Sequence, residues 1–575
     1  METTKIENSK IEMTSASSSE NIYNILNSYN SLTLSQPQNA FSQSKSIIDS
    51  DIDVQITHGG GGYYAGIYKE CSSELDLSNK LSVSLGVKGT YELYSGSFNG
   101  TFKTSYQQRT TSFNSKWDAV IDHGAAEFGK SNADILGCLE QSLQTSLNSI
   151  ATLNDAKSFV DQYGTHLITK VARGGYLYIG IQANSQTESE QQSINSSVSV
   201  AYKGLVNSVS GTIGVISSQA SKFSQQQLTQ KIIAVGGNPF VGGSSDTSGL
   251  ENWANNVTDE SVRGILGSIP FWSLPGVNSS AAAKLQEYVQ YQLLINSIEK
   301  PLIVSNTGLM TAGQVSSVST KILPEGYKIV GGGAATEKNG NNFLMGSYPN
   351  YLGSTDIQQW TADAHDCMFP SGATDIVTSY VVAIYDPFDL MKVHVSTSSQ
   401  TSTQAGGMQI LQAYYNPNNV PYPTVTGGGL KTTILSGSYT KYVTTNVFQW
   451  NGWYTQVHDY ADASSDIQLD AYAITITIPS GIVNATTNFT DKTITSEWVS
   501  IDTPVPAGKY VVGGGSGIVK SVTGSDGSNL YRQCFPNKDT NEFHSYSSDL
   551  DGQGNKVEGI TRALYLEASF ANMNS

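Results

Sequence analysis

Three histidines in the last third of the chain sit where side-chain chemistry could be done: His365-Asp366, His458-Asp459 and His544-Ser545. A histidine beside a carboxylate can ligate a metal, hold a proton or bind a ligand. One His and one Asp make an incomplete donor set, so no metal is expected. Structural hydrogen bonding is the leading reading. The other reading is a ligand pocket built with nearby aromatics. It makes Tyr348, Trp360, His365, Asp366, Tyr439, Trp450, His458, Asp459 and His544 the candidates for receptor binding. Aromatic and polar loops suit a sugar or a lipid head group, and suit ordinary packing equally. A further histidine, His166 in Tyr163-Gly164-Thr165-His166, has no acid or nucleophile fixed near it in sequence. It reads as a buried, hydrogen-bonded sheet histidine. The four cysteines, Cys71, Cys138, Cys367 and Cys534, lie far apart without a Cys-x-x-Cys pair. That spacing disfavours zinc and a disulfide framework and leaves free thiols. Three glycine triplets lack the Lys-Ser/Thr that completes a phosphate loop. No enzyme and no cofactor are expected.

Two other stretches carry a different chemistry, that of crossing an apolar layer. From Leu81 the apolar side chains fall on odd positions: Leu81, Val83, Leu85, Val87, Tyr91 and Leu93. Past Ser95-Gly96 they fall on even ones, Phe98 and Phe102, while Lys88, Glu92 and Lys103 share the polar face. Period-two alternation is the strand signature, and a hairpin turn can switch parity while keeping one face apolar. A second segment repeats the device less cleanly. Ile194, Val198, Val200, Tyr202 and Val206 are even, and Val209, Ile213 and Val215 are odd. A transmembrane strand needs about 9–11 such residues, with small residues allowed. Half-buried strands of an ordinary sandwich remain the alternative.

The elements between these segments must position them. Asn132 to Ile150 has helical spacing. A second helix, about Leu153 to Gln162 with Asn154 as its N-cap, delivers the chain to Tyr163. The strand from Leu167 to Ile181 is interrupted by Gly174-Gly175, and another, Ile232 to Val235, ends at Gly236-Gly237. Paired glycines in strands mark a bend or a close backbone approach. A short helix is expected around Asn21 to Leu32, and a longer one from Ala281 to Ile298.

The last third repeats. Gly331-Gly332-Gly333, Gly427-Gly428-Gly429 and Gly513-Gly514-Gly515 begin 96 and then 86 residues apart. Each follows a short β-rich run. Each precedes a small-plus-aromatic pair (Ser347-Tyr348, Ser438-Tyr439, Cys534-Phe535), one of the three histidines, and a closing strand. Three matching units suggest a three-fold β-prism with one sheet per unit.

Length and composition frame these readings. The chain of 575 residues is long enough for several domains. Only 14% of its residues are charged, and the net charge of −16 argues against nucleic acid, whose backbone demands a basic face. The same charge argues against simple attraction to anionic lipid, so a membrane would be reached through a specific receptor. No run of about 18 apolar residues occurs, so any crossing must use strands. No signal peptide is readable in residues 1–50.

Tyr163-Gly164-Thr165-His166, preceded by a helix and followed by a strand with paired glycines, resembles the signature of the membrane attack complex/perforin (MACPF) family. Leu167 stands where an aromatic is commoner. The resemblance covers roughly residues 20 to 305 and implies an α+β fold. In it a bent, twisted antiparallel sheet is flanked by two helical clusters, each unfurling into an amphipathic hairpin. Carried over, residues 80–106 and 193–216 are the two hairpins. Gly174, Gly175, Gly236 and Gly237 are hinge positions for sheet opening. The C-terminal repeats resemble the three-repeat all-β prism that follows this domain in some bacterial members, including insecticidal ones. The expected organisation is a disordered tail at 1–20, a pore-forming domain at 21–308, and a receptor- or membrane-binding prism at 309–575. Its repeats fall at about 320–388, 415–480 and 500–570. The implied protein is a toxin released by a bacterium as a monomer. It binds target-cell lipid and a surface receptor (glycan, lipid or protein), and assembles into a homo-oligomeric ring that inserts a β-barrel. The competing expectation is a non-lytic, lectin-like adhesin.

Overall fold

The structure, a computed structural model, describes residues 13–16, 25–30, 32, 53–59, 63–65, 69–71, 112–184, 228–236, 240–242, 247–311, 314–323, 325–336, 342–354, 356–366, 376–402, 409–414, 424–436, 441–449, 452–459, 466–478, 481–496, 498–521, 529–537, 540–549 and 556–574. Both alternating segments, Gly237, Tyr439 and Trp450 lie outside the described residues. Two compact units divide the chain, residues 1–290 with 573–575, and 291–572. The division falls within a helix, ahead of the 308/309 boundary expected above.

The first unit is built on one antiparallel sheet. Its strands are β1 (Met13–Ala16), β2 (Ser28–Tyr29), β3 (Val54–His58), β4 (Tyr63–Ala65), β5 (Lys69–Cys71), β6 (Ser112–Phe128), β7 (His166–Asn184), β8 (Leu228–Val235), β9 (Phe240–Gly242) and β10 (Val262–Pro270). The main path runs β1-β3-β6-β7-β8-β9. β3, β4 and β5 follow one another along β6, each pairing a different stretch of it. β8 pairs the second half of β7, while β10 and β2 pair the first half. Short helices α1 (Ile135–Cys138), α2 (Gln141–Asn148) and α3 (Leu153–Tyr163) connect β6 to β7. α4 (Thr247–Asn255) precedes β10, and α5 (Ser279–Glu299) follows it.

Three local expectations are corrected. Asn132 to Ile150 is not one helix, because Leu139 turns extended (ψ 149°) between α1 and α2. The N-cap of α3 is Thr152, not Asn154. The Thr152 hydroxyl accepts from the Asp155 amide at 3.1 Å, and the Asp155 carboxylate accepts from the Thr152 amide at 2.9 Å. That reciprocal pair is a capping box, and it holds the Asp155 carboxyl below the usual range. The Asn154 amide donates instead to the carbonyl of Met573. Finally, residues 25–30 hold a turn and strand β2 rather than a helix, with Leu26 left-handed at φ 60°.

Among its described residues, the second unit holds the end of α5 and eighteen strands in three six-stranded sheets. The first repeat supplies β11 (Leu302–Leu309), β12 (Val315–Ser319), β13 (Tyr327–Thr336), β14 (Asn342–Asn350), β15 (Gln359–Asp366) and β16 (Ile376–Tyr385). The second supplies β17 (Lys392–Ser402), β18 (Gln409–Tyr414), β19 (Thr424–Ser436), β20 (Lys441–Gln449), β21 (Gly452–Asp459) and β22 (Asp466–Thr477). The third supplies β23 (Val483–Ser496), β24 (Trp498–Pro504), β25 (Val511–Ser521), β26 (Asn529–Asn537), β27 (Glu542–Asp549) and β28 (Val557–Phe570). The expectation of one sheet per repeat is wrong. The orders are β11-β16-β13-β26-β27-β24, β12-β15-β14-β19-β22-β17 and β18-β21-β20-β25-β28-β23. Each repeat therefore gives its first, third and sixth strands to one sheet and its second, fourth and fifth to the next. The repeats also begin earlier than expected, at β11, β17 and β23.

The glycine triplets explain how three such sheets meet. Each occupies the third strand of its repeat, after a bulge at Ile329/Gly331, Val425/Gly427 and Val511/Gly513. The first glycines face one another: a Cβ on Gly427 would overlap Gly331 and Val330, and one on Gly513 would overlap the Thr426 carbonyl. Only bare backbone lets β13, β19 and β25 converge so closely. Thr426 ties the junction by donating its hydroxyl to the Val330 carbonyl at 2.7 Å. The second glycines lie under aromatic rings, Gly332 under Trp360, Gly428 under Trp453 and Gly514 under Phe543. The third glycines seat the fourth strand of the preceding repeat, the third counting as preceding the first: Gly333 against Cys534-Phe535, Gly429 against Ser347-Tyr348 and Gly515 against Asn446-Val447. A core cluster above this junction joins Val330, Val382, Ile384, Trp453, Val512, Leu564 and Leu566 to Tyr291, Leu294, Ile295 and Ile298 of α5. Burying each such aliphatic side chain stabilises the fold by about 1.5–3 kcal/mol.

Candidate functional site

The Tyr163 motif is the joint between α3 and β7. Tyr163 closes the helix and packs on Phe159 (centroids 5.1 Å apart), which meets Phe271 edge-on at 5.2 Å. Gly164 ends the helix at φ 78°, a left-handed angle that suits glycine, and its amide donates to the Val160 carbonyl. Thr165 is fully buried, and its carbonyl accepts from the Phe271 amide at 3.1 Å. His166 opens β7, with Nδ1 2.8 Å from Thr165 Oγ1 and its ring edge-on to Trp272. Burial pushes its imidazole down to about 4, so the ring is neutral at physiological pH. Leu167, at the position where an aromatic is commoner, is fully buried.

Glycines cross the sheet in a line. Gly124 on β6, Gly174 on β7 and Gly236 just past β8 have φ of 90°, 108° and 83°. A Cβ on Gly124 would overlap Thr57 and Gly59; on Gly174, the Ile121 carbonyl; on Gly236, the Gly174 carbonyl. The β6–β7 register slips between Asp122 and Gly124, and such bulges bend a strand. Gly175 lies over the side chains of Trp253 and Val257. The expected Gly174, Gly175 and Gly236 thus fall on one line, joined by Gly59 and Gly124.

A clasp closes over that line from the segment between α4 and β10. The Gly174 amide donates to the Ser261 carbonyl at 2.7 Å, a bond that β8 cannot supply because it ends at Val235. Arg173 is 1% exposed, and its Nε donates to the Asp259 carbonyl at 2.9 Å. The Asp259 carboxylate lies 2.6 Å from His123 Nδ1. Arg263 donates to the Arg173 carbonyl at 3.0 Å and pairs with Asp122 at 3.2 Å. Sequence reasoning missed these residues because the pairs are 86 to 141 positions apart. Two signals could have pointed to them: a charged Arg173 inside an apolar strand, and a lone Gly124 inside β6.

The strand ends beyond the bend share one edge of the sheet. Cys71 of β5 pairs with Asn114 of β6; Ser112 of β6 pairs with Asn184 of β7; Ala183 of β7 pairs with Leu228 of β8. The chain between β5 and β6, which holds the first alternating segment, leaves and re-enters at that end. So does the chain between β7 and β8, which holds the second.

The C-terminal candidates are scattered. Trp360 is 0% exposed and belongs to the core, not to a surface. Its Nε1–H donates to Ser347 Oγ at 2.9 Å, and its counterpart Trp453 donates to Asn446 Oδ1 at 2.5 Å. Where the third ring is Phe543, which has nothing to donate, the matching position is Cys534, whose thiol is pushed up to about 12 by burial. Trp453, not Trp450, is thus the second-repeat equivalent of Trp360. His365 is buried beside Phe343. His458 pairs with Tyr442, Asp459 with Lys441 and Asp366 with Asn342 in the strand registers. His544 is not equivalent to the other two histidines. It follows Phe543 directly, whereas His365 and His458 lie five positions beyond Trp360 and Trp453. Its ring bridges Asp502 (Nδ1 to Oδ1, 2.5 Å) and Gln533 (Nε2 to Oε1, 2.9 Å). Tyr348 is half-buried, hydrogen-bonded to Asp363 and roughly stacked on Tyr472 at 6.4 Å, with Lys431 over its ring. The Ser438-Tyr439 pair is replaced structurally by Asn446-Val447. The described residues contain no cluster of three metal-ligating side chains and no helix long and apolar enough to cross a membrane.

Residues 62–263 match the family model of the MAC/Perforin domain. The match spans the Tyr163 motif, Gly124, Gly174, Gly175 and Gly236, and both alternating segments. GNIP1Aa from Chromobacterium piscinae is similar at 15% identity over 68% of this chain and 76% of its own, with a TM-score of 0.33. A MAC/Perforin-domain protein from Bacteroides thetaiotaomicron VPI-5482 is 12% identical over 52% of this chain and 65% of its own, with a TM-score of 0.30. The cytotoxin suilysin from Streptococcus suis is 9% identical over 60% of this chain and 67% of its own, with a TM-score of 0.20. No curated protein matches the chain.

Proposed function

We propose that this chain is a pore-forming toxin. It binds a target-cell surface through its C-terminal three-sheet unit, a β-prism in this reading. It then oligomerises into a ring and inserts two amphipathic hairpins per subunit. One observation carries the reading. Both alternating segments join strand ends at one edge of the central sheet, so extending each as a hairpin would lengthen β5–β6 and β7–β8 without repairing any register. The apolar positions would face lipid and the polar positions the lumen, and ring closure would leave no unpaired edge in the bilayer. The receptor-binding surface would draw on Tyr348 and on the candidates outside the buried core. Target cells in an insect are what the resemblance to insecticidal members suggests. Release by a bacterium as a monomer belongs to the same proposal.

The parity of the segments supplies the test. Leu85→Arg and Val200→Arg place a charge on the proposed lipid faces, at a cost of about 2–4 kcal/mol per strand at the bilayer midplane. Ser84→Arg and Ser199→Arg place it on the polar faces. Dye release from receptor-bearing vesicles should fall sharply for the first pair and persist for the second, with all four proteins pelleting on the vesicles. Equal release by all four would end the hairpin reading.

A further inference from the structure

The central path of the first unit contains four strands that matter for lateral growth: β3, β6, β7 and β8. Each is antiparallel to the next. With an even number of strands, β3 and β8 run in opposite directions. The β3 edge of one copy can therefore take the β8 edge of a second copy as an ordinary antiparallel neighbour, and repetition of that head-to-tail contact closes a ring. Among the described residues each of these two edges carries a further short strand. β9 lies on β8 through only three pairs, Ile232↔Gly242 to Ala234↔Phe240. On the other side β1 lies along four of the five residues of β3: Met13↔Thr57, Thr14↔Ile56, Ser15↔Gln55 and Ala16↔Val54. An uncovered edge strand is a template for pairing with another chain, and covering it is a way to keep a protein monomeric.

We infer that β1 is an edge guard, an N-terminal strand that holds the β3 edge shut in the monomer and gives way to a strand of a second copy during assembly. The inference rests on the ring reading given above. The dimensions suit an exchangeable cover. Four residue pairs supply only a handful of backbone hydrogen bonds, each worth about 0.5–1.5 kcal/mol net. Met13-Thr14-Ser15-Ala16 carries no charge and no aromatic side chain that would anchor it further. The incoming strand would offer the same backbone bonds, and β8, at eight residues, is long enough to cover all five residues of β3.

The experiment uses the full chain with Ser15→Cys and Gln55→Cys, which bonds the guard to β3 across a registered pair. Lateral association on receptor-bearing vesicles is read by chemical cross-linking, separately from dye release. Oxidised protein should bind the vesicles but cross-link at least about tenfold less than the same protein after reduction. Ser15→Pro, which cannot hold the pairing, should cross-link faster than wild type. Oxidised protein that cross-links like reduced protein, or Ser15→Pro at the wild-type rate, overturns the guard. Wild-type protein that cross-links without releasing dye would remove the pore reading and leave the guard standing. Wild-type protein that binds and never cross-links would remove both.

Discussion

Gly428→Ala is expected to destabilise the C-terminal unit strongly. The added Cβ would overlap the indole of Trp453 and the carbonyl oxygen of Tyr472 together. Trp453 cannot swing aside, because it is 0% exposed and its N–H is fixed on Asn446. The Tyr472 carbonyl cannot yield either, since Tyr472 is paired with Gly429 within the β19–β22 ladder. Overpacking of a rigid site costs about 1–3 kcal/mol, and here ring and backbone are struck at once, so ~3 kcal/mol or more is expected. For a unit of this size that lowers the thermal midpoint by roughly 5 °C. Gly332→Ala should behave alike, since Trp360 covers it in the same way. A midpoint for Gly428→Ala within about 2 °C of wild type would contradict the convergence of the three sheets on bare backbone.

Gly174→Ala is the corresponding expectation for the first unit. Here two penalties combine. At φ 108° an L-residue is strained by about 1–3 kcal/mol, and the Cβ would overlap the Ile121 carbonyl of the neighbouring strand. The clasp adds to the cost, because the Gly174 amide must stay on the Ser261 carbonyl while Arg173 stays under Asp259. Gly137→Ala in α1 is the control, since its Cβ meets nothing within 4 Å and alanine is the better helix former. Urea unfolding monitored at the first unit should show a loss of about 3 kcal/mol for Gly174→Ala and none for Gly137→Ala. Equal midpoints for the two variants would show that the glycine line is not a backbone requirement.

Much of this architecture was written locally. The helix before Tyr163, the strand after His166 and the glycine positions on β7 and β8 follow from spacing and propensity, which act within a few residues. The three repeats were equally visible, because bare backbone at a crowded axis can be met only by glycine. Partition of strands among sheets was not visible. β13 and β14 are consecutive yet belong to different sheets, while β13 pairs with β26 two hundred residues on, at Ala334↔Cys534. No periodicity within a strand records its partner. His544 shows how the repeats misled: counting from glycine to histidine crosses loops of different length, whereas the ring over the second glycine marks the true register. The swap of Trp for Phe543 alongside Cys534 for Ser347 and Asn446 makes physical sense only once the rings are seen to donate to those positions. The clasp of His123, Arg173, Asp259 and Arg263 was hidden for the same reason, being made of polar residues brought together by the fold alone.

Pore formation is the central claim, and the most direct measurement is dye release from vesicles made with target-membrane extract, with bound protein pelleted from the same tube. The expected result is release that rises with bound protein and is accompanied by rings on the vesicle surface. Full binding without release, at neutral and at mildly acidic pH, would contradict it and leave an adhesin built on a MAC/Perforin domain.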